Sequence, residues 1–485
     1  MNSENEKLRS KELLPTGSKE RDMSLFDYII LWAGMTINIV AFSLGAQYYN
    51  GGKGLSPWTL VCVMLIGYGI VTLFTSLVGD IGTKYGVPFA AYIRAPFGYK
   101  GANIAGFIRA IPGLYWFGFL TWIGAGSLNK IMAIIFPGFD NLMLMIIIFA
   151  AVQVLNTMYG LKAMAKFGWI AIPSLAVMFT AILIGTLNKY NITIPEIMSI
   201  ETEGGYSFAF AIAGIAGGWL TMALNGSDLT RQIKRYENYE NMNFFQRNKR
   251  AIFGQVVGLM IVGVVTMLIG VASGITSGFW DLNDVVPDLF ANNNIALILC
   301  FIVIVFAQWS TNTAANLLPP ALVLLNFSPK IKYWMSTIIC GTISIGIMPW
   351  KIQSSGGFLV DIQSWISQML GPIIGIILTD YFIIRKCQLN VKDLYTAGGQ
   401  YEYTNGYNIS AIIALFIAFF IGLLFGDYAF FVGSIVSVIV YYVLMKCITL
   451  KKYNQNIFHH IKYRLLNLNS VYLSDGCFIF NDKKY

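Results

Sequence analysis

Twelve stretches of predominantly apolar residues dominate this chain, running approximately 27–48, 57–79, 102–128, 141–159, 167–187, 207–224, 251–274, 295–318, 332–349, 357–384, 408–426 and 428–448. Each is close to the roughly 20 residues that a helix needs to cross the hydrocarbon core of a bilayer. None shows the short alternating segments of a membrane β-barrel. What lies between them cannot coat a soluble globule: 12% of the 485 residues are charged, against about 25% in an ordinary soluble domain. Aromatic residues at 15% exclude disorder. The expected fold is an all-α polytopic membrane protein with 12 transmembrane helices.

The placement of positive charge orients those helices. Of 33 Lys and Arg, 27 fall in the two tails and in the segments after the even-numbered stretches. The opposite loops hold four: Lys53, Lys130, Lys189 and Lys351. Loops retained on the cytoplasmic side carry such an excess, so both termini are expected in the cytoplasm of a multi-pass plasma-membrane protein. The net charge of +9 is then a topology signal and a contact with anionic lipid, and no nucleic-acid partner is expected. Residues 1–26 lack the apolar core of a signal peptide and read as a cytoplasmic N-tail; 449–485 reads as a cytoplasmic C-tail. In the polar run Asn225–Arg250, Asp228 and Arg231 form a local ion pair or are simply solvated.

Familiar reaction chemistry is missing. The six cysteines are scattered without a CxxC pair, and the two histidines, His459 and His460, lie in the C-tail. There is no HExxH and no GxxxxGK[ST]. No enzyme activity and no cofactor are expected. Ionisable residues inside a membrane are functional candidates by default, and few occur here: Arg109 and Asp361 within stretches, Asp27 and Asp380 near ends.

The interior offers amides, hydroxyls, glycines and indoles instead. The first stretch contains Gly34-Met35-Thr36-Ile37-Asn38, and the sixth contains Gly214-Ile215-Ala216-Gly217-Gly218-Trp219. Interrupted helices at corresponding positions point to two inverted five-helix repeats whose first helices are broken around a binding site. Alternatively, the glycines only let helices pack closely. The eighth stretch reads Ala307-Gln308-Trp309-Ser310-Thr311-Asn312-Thr313-Ala314-Ala315-Asn316. The hydroxyls of Ser310 and Thr311 are hard oxygen ligands suited to a small cation such as Na⁺, and Asn316 can present an amide to a neutral substrate. Trp116 and Trp219 lie deep in their stretches, where two indoles can hold a flat ring by offset stacking; core packing is the alternative. Trp58, Trp334 and Trp350 sit near stretch ends, as interfacial anchors do.

Over roughly 16–450 the sequence resembles the nucleobase–cation symporter-1 family, which transports nucleobases, hydantoins and allantoin. The resemblance is carried by Gly82-Thr83-Lys84-Tyr85-Gly86-Val87-Pro88-Phe89, Arg94, Phe97-Gly98, Trp116-Phe117-Gly118-Phe119, Gly217-Gly218-Trp219, Asp228-Leu229-Thr230-Arg231, Trp309-Ser310-Thr311-Asn312 through Asn316, Pro349-Trp350 and Leu370-Gly371-Pro372 through Asp380-Tyr381-Phe382. Within the family the chain looks most like the Na⁺-coupled hydantoin-transporting branch. The resemblance implies a LeuT-type core over 27–384 (repeats 27–187 and 207–384), followed by two further helices over 408–448. It implies Na⁺ on the carbonyls of Gly34, Ile37 and Ala307 and the hydroxyls of Ser310 and Thr311. It implies a substrate ring between Trp116 and Trp219, hydrogen-bonded by Asn316, by Asn38 and by the backbone at Gly218.

Two positions depart from that branch, one of them Asn38, shorter than the branch's Gln by one methylene. After Trp-Phe-Gly-Phe the branch has a substrate-binding Gln; this chain has Leu120. An apolar residue facing a ring polar group leaves it unpaired, a loss of about 1–3 kcal/mol. Either the substrate differs there or another residue reaches it, Gln308 being one possibility. The expected activity is import of a neutral planar nitrogen heterocycle of hydantoin, allantoin or nucleobase type by Na⁺ symport. The alternative is a proton-coupled permease of the same family, with Asp361 as the acid. A channel or a transporter-like receptor is the reading from another class. Oligomeric state is not readable from the sequence.

Overall fold

The computed structural model describes residues 8, 13–158, 161–325, 331–352 and 358–451, excluding the side chains of 161–171, Glu240 and Ser310. Each of the twelve apolar stretches holds helix. The order is α1 (Leu25–Thr36), α2 (Ile39–Tyr49), α3 (Pro57–Tyr85), α4 (Ala102–Ile135), α5 (Leu142–Met158), α6 (Leu161–Tyr190), α7 (Phe208–Leu224), α8 (Phe244–Thr276), α9 (Leu282–Phe290), α10 (Asn294–Leu325), α11 (Tyr333–Gly346), α12 (Phe358–Ile384), α13 (Ile409–Leu423) and α14 (Gly426–Thr449). Among the described residues there is no β-strand, only two isolated bridges.

Local chemistry starts these helices. The first N–H groups of a helix have no partner within it. Ser24, Ser56, Ser207, Asn243 and Asn293 each supply a side-chain oxygen to the N–H three residues on. Gly86, at φ 73°, ends α3 in the left-handed conformation that glycine adopts without strain.

Among the described residues eight helices are long and apolar enough to cross a membrane, and the bent pair α1–α2 makes a ninth. The outer surface suits hydrocarbon rather than water: Ile295, Phe420 and Leu424 are 73%, 61% and 82% exposed, and many other large apolar side chains share that surface. Trp58 and Trp334 are exposed as well. Trp350 is half-buried against a cluster that includes Ile146 and Phe149, less exposed than Trp58 and Trp334. The five described cysteines are free; Cys477 and both histidines lie outside the described residues.

The expected break in the first stretch is present. α1 ends at Thr36, and α2 leaves it at 51°. Asn38 makes the break: its backbone is extended (φ −139°, ψ 163°), its Oδ1 accepts from Ala41 N–H at 2.8 Å, and its Nδ2 donates to Met35 O at 2.7 Å.

The sixth stretch differs from expectation. α7 runs unbroken through Gly214, Gly217, Gly218 and Trp219, and the chain turns only at Asn225. These glycines serve packing. A Cβ on Gly217 would strike the Gln363 carbonyl, and one on Gly214 would lie 3.1 Å from Ser364 Oγ. They let α12 lie directly against α7.

Polar chemistry gathers at the end of the bundle where α3, α8 and α12 meet. Asp80 on α3 is fully buried and receives Arg247 Nε at 2.6 Å and Nη2 at 2.8 Å. Asn248 and Tyr381 donate to the same carboxylate. The next residue along α12, Asp380, accepts from Arg385 and from Tyr441 on α14. The N-terminal segment straps across this end. Met23 pairs with the 232–234 segment, and Arg21 Nη1 donates to Thr83 O at 2.8 Å. Burial and the nearby Arg235 pull the Arg21 guanidinium down to about 9. Asp228 forms no ion pair with Arg231 among the described residues and is not merely solvated: its Oδ1 accepts from Phe89 N–H at 2.9 Å, while Arg231 donates to Leu14 O.

Candidate functional site

A cavity of about 90 Å³, partly open to solvent, lies where the α1–α2 break meets α4, α7, α8, α10 and α12. All six residues expected to touch substrate line it: Asn38, Trp116, Leu120, Gly218, Trp219 and Asn316. Trp116 is held edge-on by Phe119, ring centroids 5.7 Å apart, and Trp219 leans on Trp32 at 6.1 Å. Met35, Tyr68 and Met267 complete much of the apolar wall.

Asn316 is positioned by a buried amide chain that sequence reasoning missed. Its Nδ2 donates to Asn312 Oδ1 at 3.0 Å. Asn312, fully buried, donates in turn to Phe117 O and to Gln153 Oε1, and Gln153 donates to Thr121 Oγ1. One of its two N–H donors is so engaged, and Asn316 lines the cavity. Asn312 and Asn316 stand four apart on one helix face, which was the available signal. Asn38 lines the cavity, but both ends of its amide are engaged in the helix break.

A second acceptor follows from a Pro-Pro pair. Around Thr313–Leu317, α10 widens to a π-turn, and Leu318 N–H donates to Thr313 O. Pro319 and Pro320 have no N–H. The Ala315 carbonyl therefore has no backbone donor three, four or five residues on, and Ala315 lines the cavity.

The expected cation ligands are placed as follows. Thr311 lines the cavity and donates its hydroxyl to Ala307 O at 2.7 Å. Gly34, Ile37 and Ala307 do not line it. The break nevertheless frees two of their carbonyls. Asn38 N–H, which would close on Gly34 O in a continuous helix, goes to Thr36 O, and Ala41 N–H, which would close on Ile37 O, goes to the Asn38 side chain. The Ser310 side chain lies outside the described residues. Among the described residues no group of three His, Cys, Asp or Glu comes together.

Gln308 does not reach the cavity; it is buried to one side of it. The amide that does reach it is Gln363 on α12. Its sequence signal is weak, since Asp361, Ser364, Ser367 and Gln368 surround it in the same stretch. Asp361 and Arg109 are also absent from the lining.

Comparison with known proteins agrees with this architecture. The family described as permeases for cytosine/purines, uracil, thiamine and allantoin matches residues 15–449. The hydantoin permease of Microbacterium maritypicum is 28% identical over 435 residues, covering 89% of this chain and 88% of that protein. The allantoin permease of Bacillus subtilis is 29% identical over 480 residues, covering 91% and 94%. Among solved structures, Mhp1, a nucleobase-cation-symport-1 family transporter closed around bound bromovinylhydantoin, superposes with a TM-score of 0.84 at 27% identity, over 92% of this chain and 96% of that one.

Proposed function

The chain belongs to the family of permeases for cytosine/purines, uracil, thiamine and allantoin, and from that premise we propose that it imports a neutral planar nitrogen heterocycle together with Na⁺, by alternating access. It is a transporter rather than an enzyme, with a polytopic helical fold. We read that fold as twelve spans in the plasma membrane with both termini cytoplasmic, on the 27 cytoplasmic Lys and Arg. Stretches 1–5 and 6–10 form the two repeats.

The observation that carries the proposal is the joining of two kinds of site at one break. Trp116, Trp219 and Asn316 line one cavity. Beside it, the interrupted first helix frees the Gly34 and Ile37 carbonyls, and Thr311 adds a hydroxyl. Carbonyls and hydroxyls are the hard, neutral ligands that suit Na⁺, and half-helix ends commonly hold coupling ions in such transporters. The relatives named for hydantoin and allantoin, and the hydantoin bound in Mhp1, support a ring bearing amide groups.

Uptake of labelled hydantoin, allantoin, uracil and cytosine into proteoliposomes, with Na⁺ replaced by choline, tests both parts. Loss of uptake in choline is expected. Uptake that persists there, and collapses when the proton gradient is dissipated, would mean a proton-coupled permease, with Asp361 the first acid to neutralise.

A further inference from the structure

The Gln363 amide has no task within the protein. Gln363 is 3% exposed and projects from α12 into the cavity wall. Its Oε1 is buried without a hydrogen-bond partner, and its Nε2 has none among the described residues. The amide lies flat against Gly218: a Cβ there would come within 2.5–3.0 Å of Nε2, Cδ and Oε1. Any residue other than glycine at 218 would push the amide out of this place. Buried polar groups in native proteins are almost always paired, because an unpaired one forfeits its hydration for nothing. A site that removes an amide from water, clears space for it and leaves it unpaired is arranged for a ligand.

The rest of the wall specifies what that ligand carries. Leu120 offers no hydrogen bond from α4. Asn316 has one of its two N–H donors tied to Asn312, and the Ala315 carbonyl is an acceptor only. Gln363 is the one amide on the wall whose oxygen and nitrogen are both without a hydrogen bond among the described residues. A primary amide with both free matches a ring edge carrying N–H next to C=O: Oε1 accepts the ring N–H while Nε2 donates to the neighbouring carbonyl.

Resting on the transport function proposed above, we infer that Gln363 is a substrate-specificity residue. It reads a cyclic ureide or lactam through a –C(=O)–NH– edge, from α12, whereas Leu120 lies on α4.

The test compares wild type with Gln363→Leu, an apolar near-isostere. Purified protein in detergent is titrated with hydantoin, allantoin, uracil and cytosine, and with N-methylated forms of whichever compound binds. If wild type binds none of these, the transport reading fails, independently of Gln363. If one binds, Gln363→Leu is expected to weaken it roughly tenfold or more. The analogue methylated on the nitrogen that faces Gln363 should bind wild type weakly and lose nothing further in the variant. Melting of the unliganded variant should equal or exceed wild type, since no internal hydrogen bond is removed. Binding within twofold of wild type overturns the assignment. So does a variant that melts lower or fails to fold, because the amide would then serve the fold.

Discussion

Thr311 Oγ1 donates to the carbonyl oxygen of Ala307 at 2.7 Å, so two oxygens expected to hold the coupling ion are joined to each other. A threonine in a helix commonly bonds back to the carbonyl four residues earlier. Here that bond fixes the hydroxyl with its lone pairs turned away from the helix axis, available to a cation, while the proton points at Ala307. Thr311→Val keeps the shape and removes the oxygen; Thr311→Ser keeps the oxygen. The Na⁺ concentration for half-maximal uptake should rise about tenfold or more in the valine variant, the equivalent of one lost ligand at about 1.4 kcal/mol per decade. It should stay near wild type in the serine variant. An unchanged Na⁺ requirement in Thr311→Val would remove Thr311 from the site.

Asn38 was expected to bond the substrate, yet its amide is spent on the chain itself. Asn38→Ala should therefore cost roughly 1 kcal/mol of stability, the usual worth of an N-cap. It should also let Ala41 N–H close on the Ile37 carbonyl. The expected signature is a lower melting temperature and a raised Na⁺ requirement, with every substrate weakened by the same factor. A selective effect on one heterocycle would restore Asn38 to the substrate.

Pro319 supplies no N–H to the Ala315 carbonyl, on a residue that lines the cavity. Pro319→Ala gives α10 an N–H at the position that closes on Ala315 O in an α-turn. The variant should melt higher, because proline inside a helix is unfavourable by about 3 kcal/mol. Its affinity for substrates rich in N–H groups should fall, as measured by titration in detergent. Unaltered affinity would show that this carbonyl plays no part in binding.

How much of this was legible from sequence depends on where the determining contact lies. Apolar length predicted helices well because a bilayer offers the backbone no partner but itself, and the Ser and Asn caps are local. The residues on the cavity wall were also legible, since Trp116, Trp219 and Asn316 are costly to place mid-stretch without a use. Contacts between distant segments were not. The Gly214–Gly218 run resembles a helix interruption until α12 is seen lying on it. Gln363 is one polar residue among many until Gly218 is found beneath it. Asp228 belongs to a cap on Phe89, 139 residues away along the chain.

The buried pair Asp80–Arg247 ties α3 to α8, and Tyr381 brings α12 into the same knot. Removing one partner leaves an uncompensated buried charge, at a cost of about 3–5 kcal/mol. Arg247→Met should destabilise by that order, while Arg247→Met with Asp80→Asn should recover much of the loss. Melting temperatures of both single variants and the double variant measure the coupling directly. Additive effects would mean the two residues act independently.

A last prediction concerns pH. Asp281 precedes α9, between α8 and α10, and its carboxylate accepts from Asn283 N–H at 2.9 Å. Burial pushes the Asp281 carboxyl from 3.8 up to about 6, with Asp284 adding to the rise and the Asn283 hydrogen bonds opposing it. The folded protein thus holds this proton more tightly than the unfolded chain. The resulting stabilisation is complete below about pH 3.8 and is lost as pH rises through about 6. Its size is of order 3 kcal/mol at most, at 1.36 kcal/mol per pH unit. Asp281→Asn retains an oxygen that caps the helix equally well and cannot titrate. The melting-temperature difference between variant and wild type should therefore grow in the variant's favour from pH 4 to pH 6.5 and then level off. Parallel melting curves across that range would show that Asp281 titrates as an ordinary exposed carboxyl.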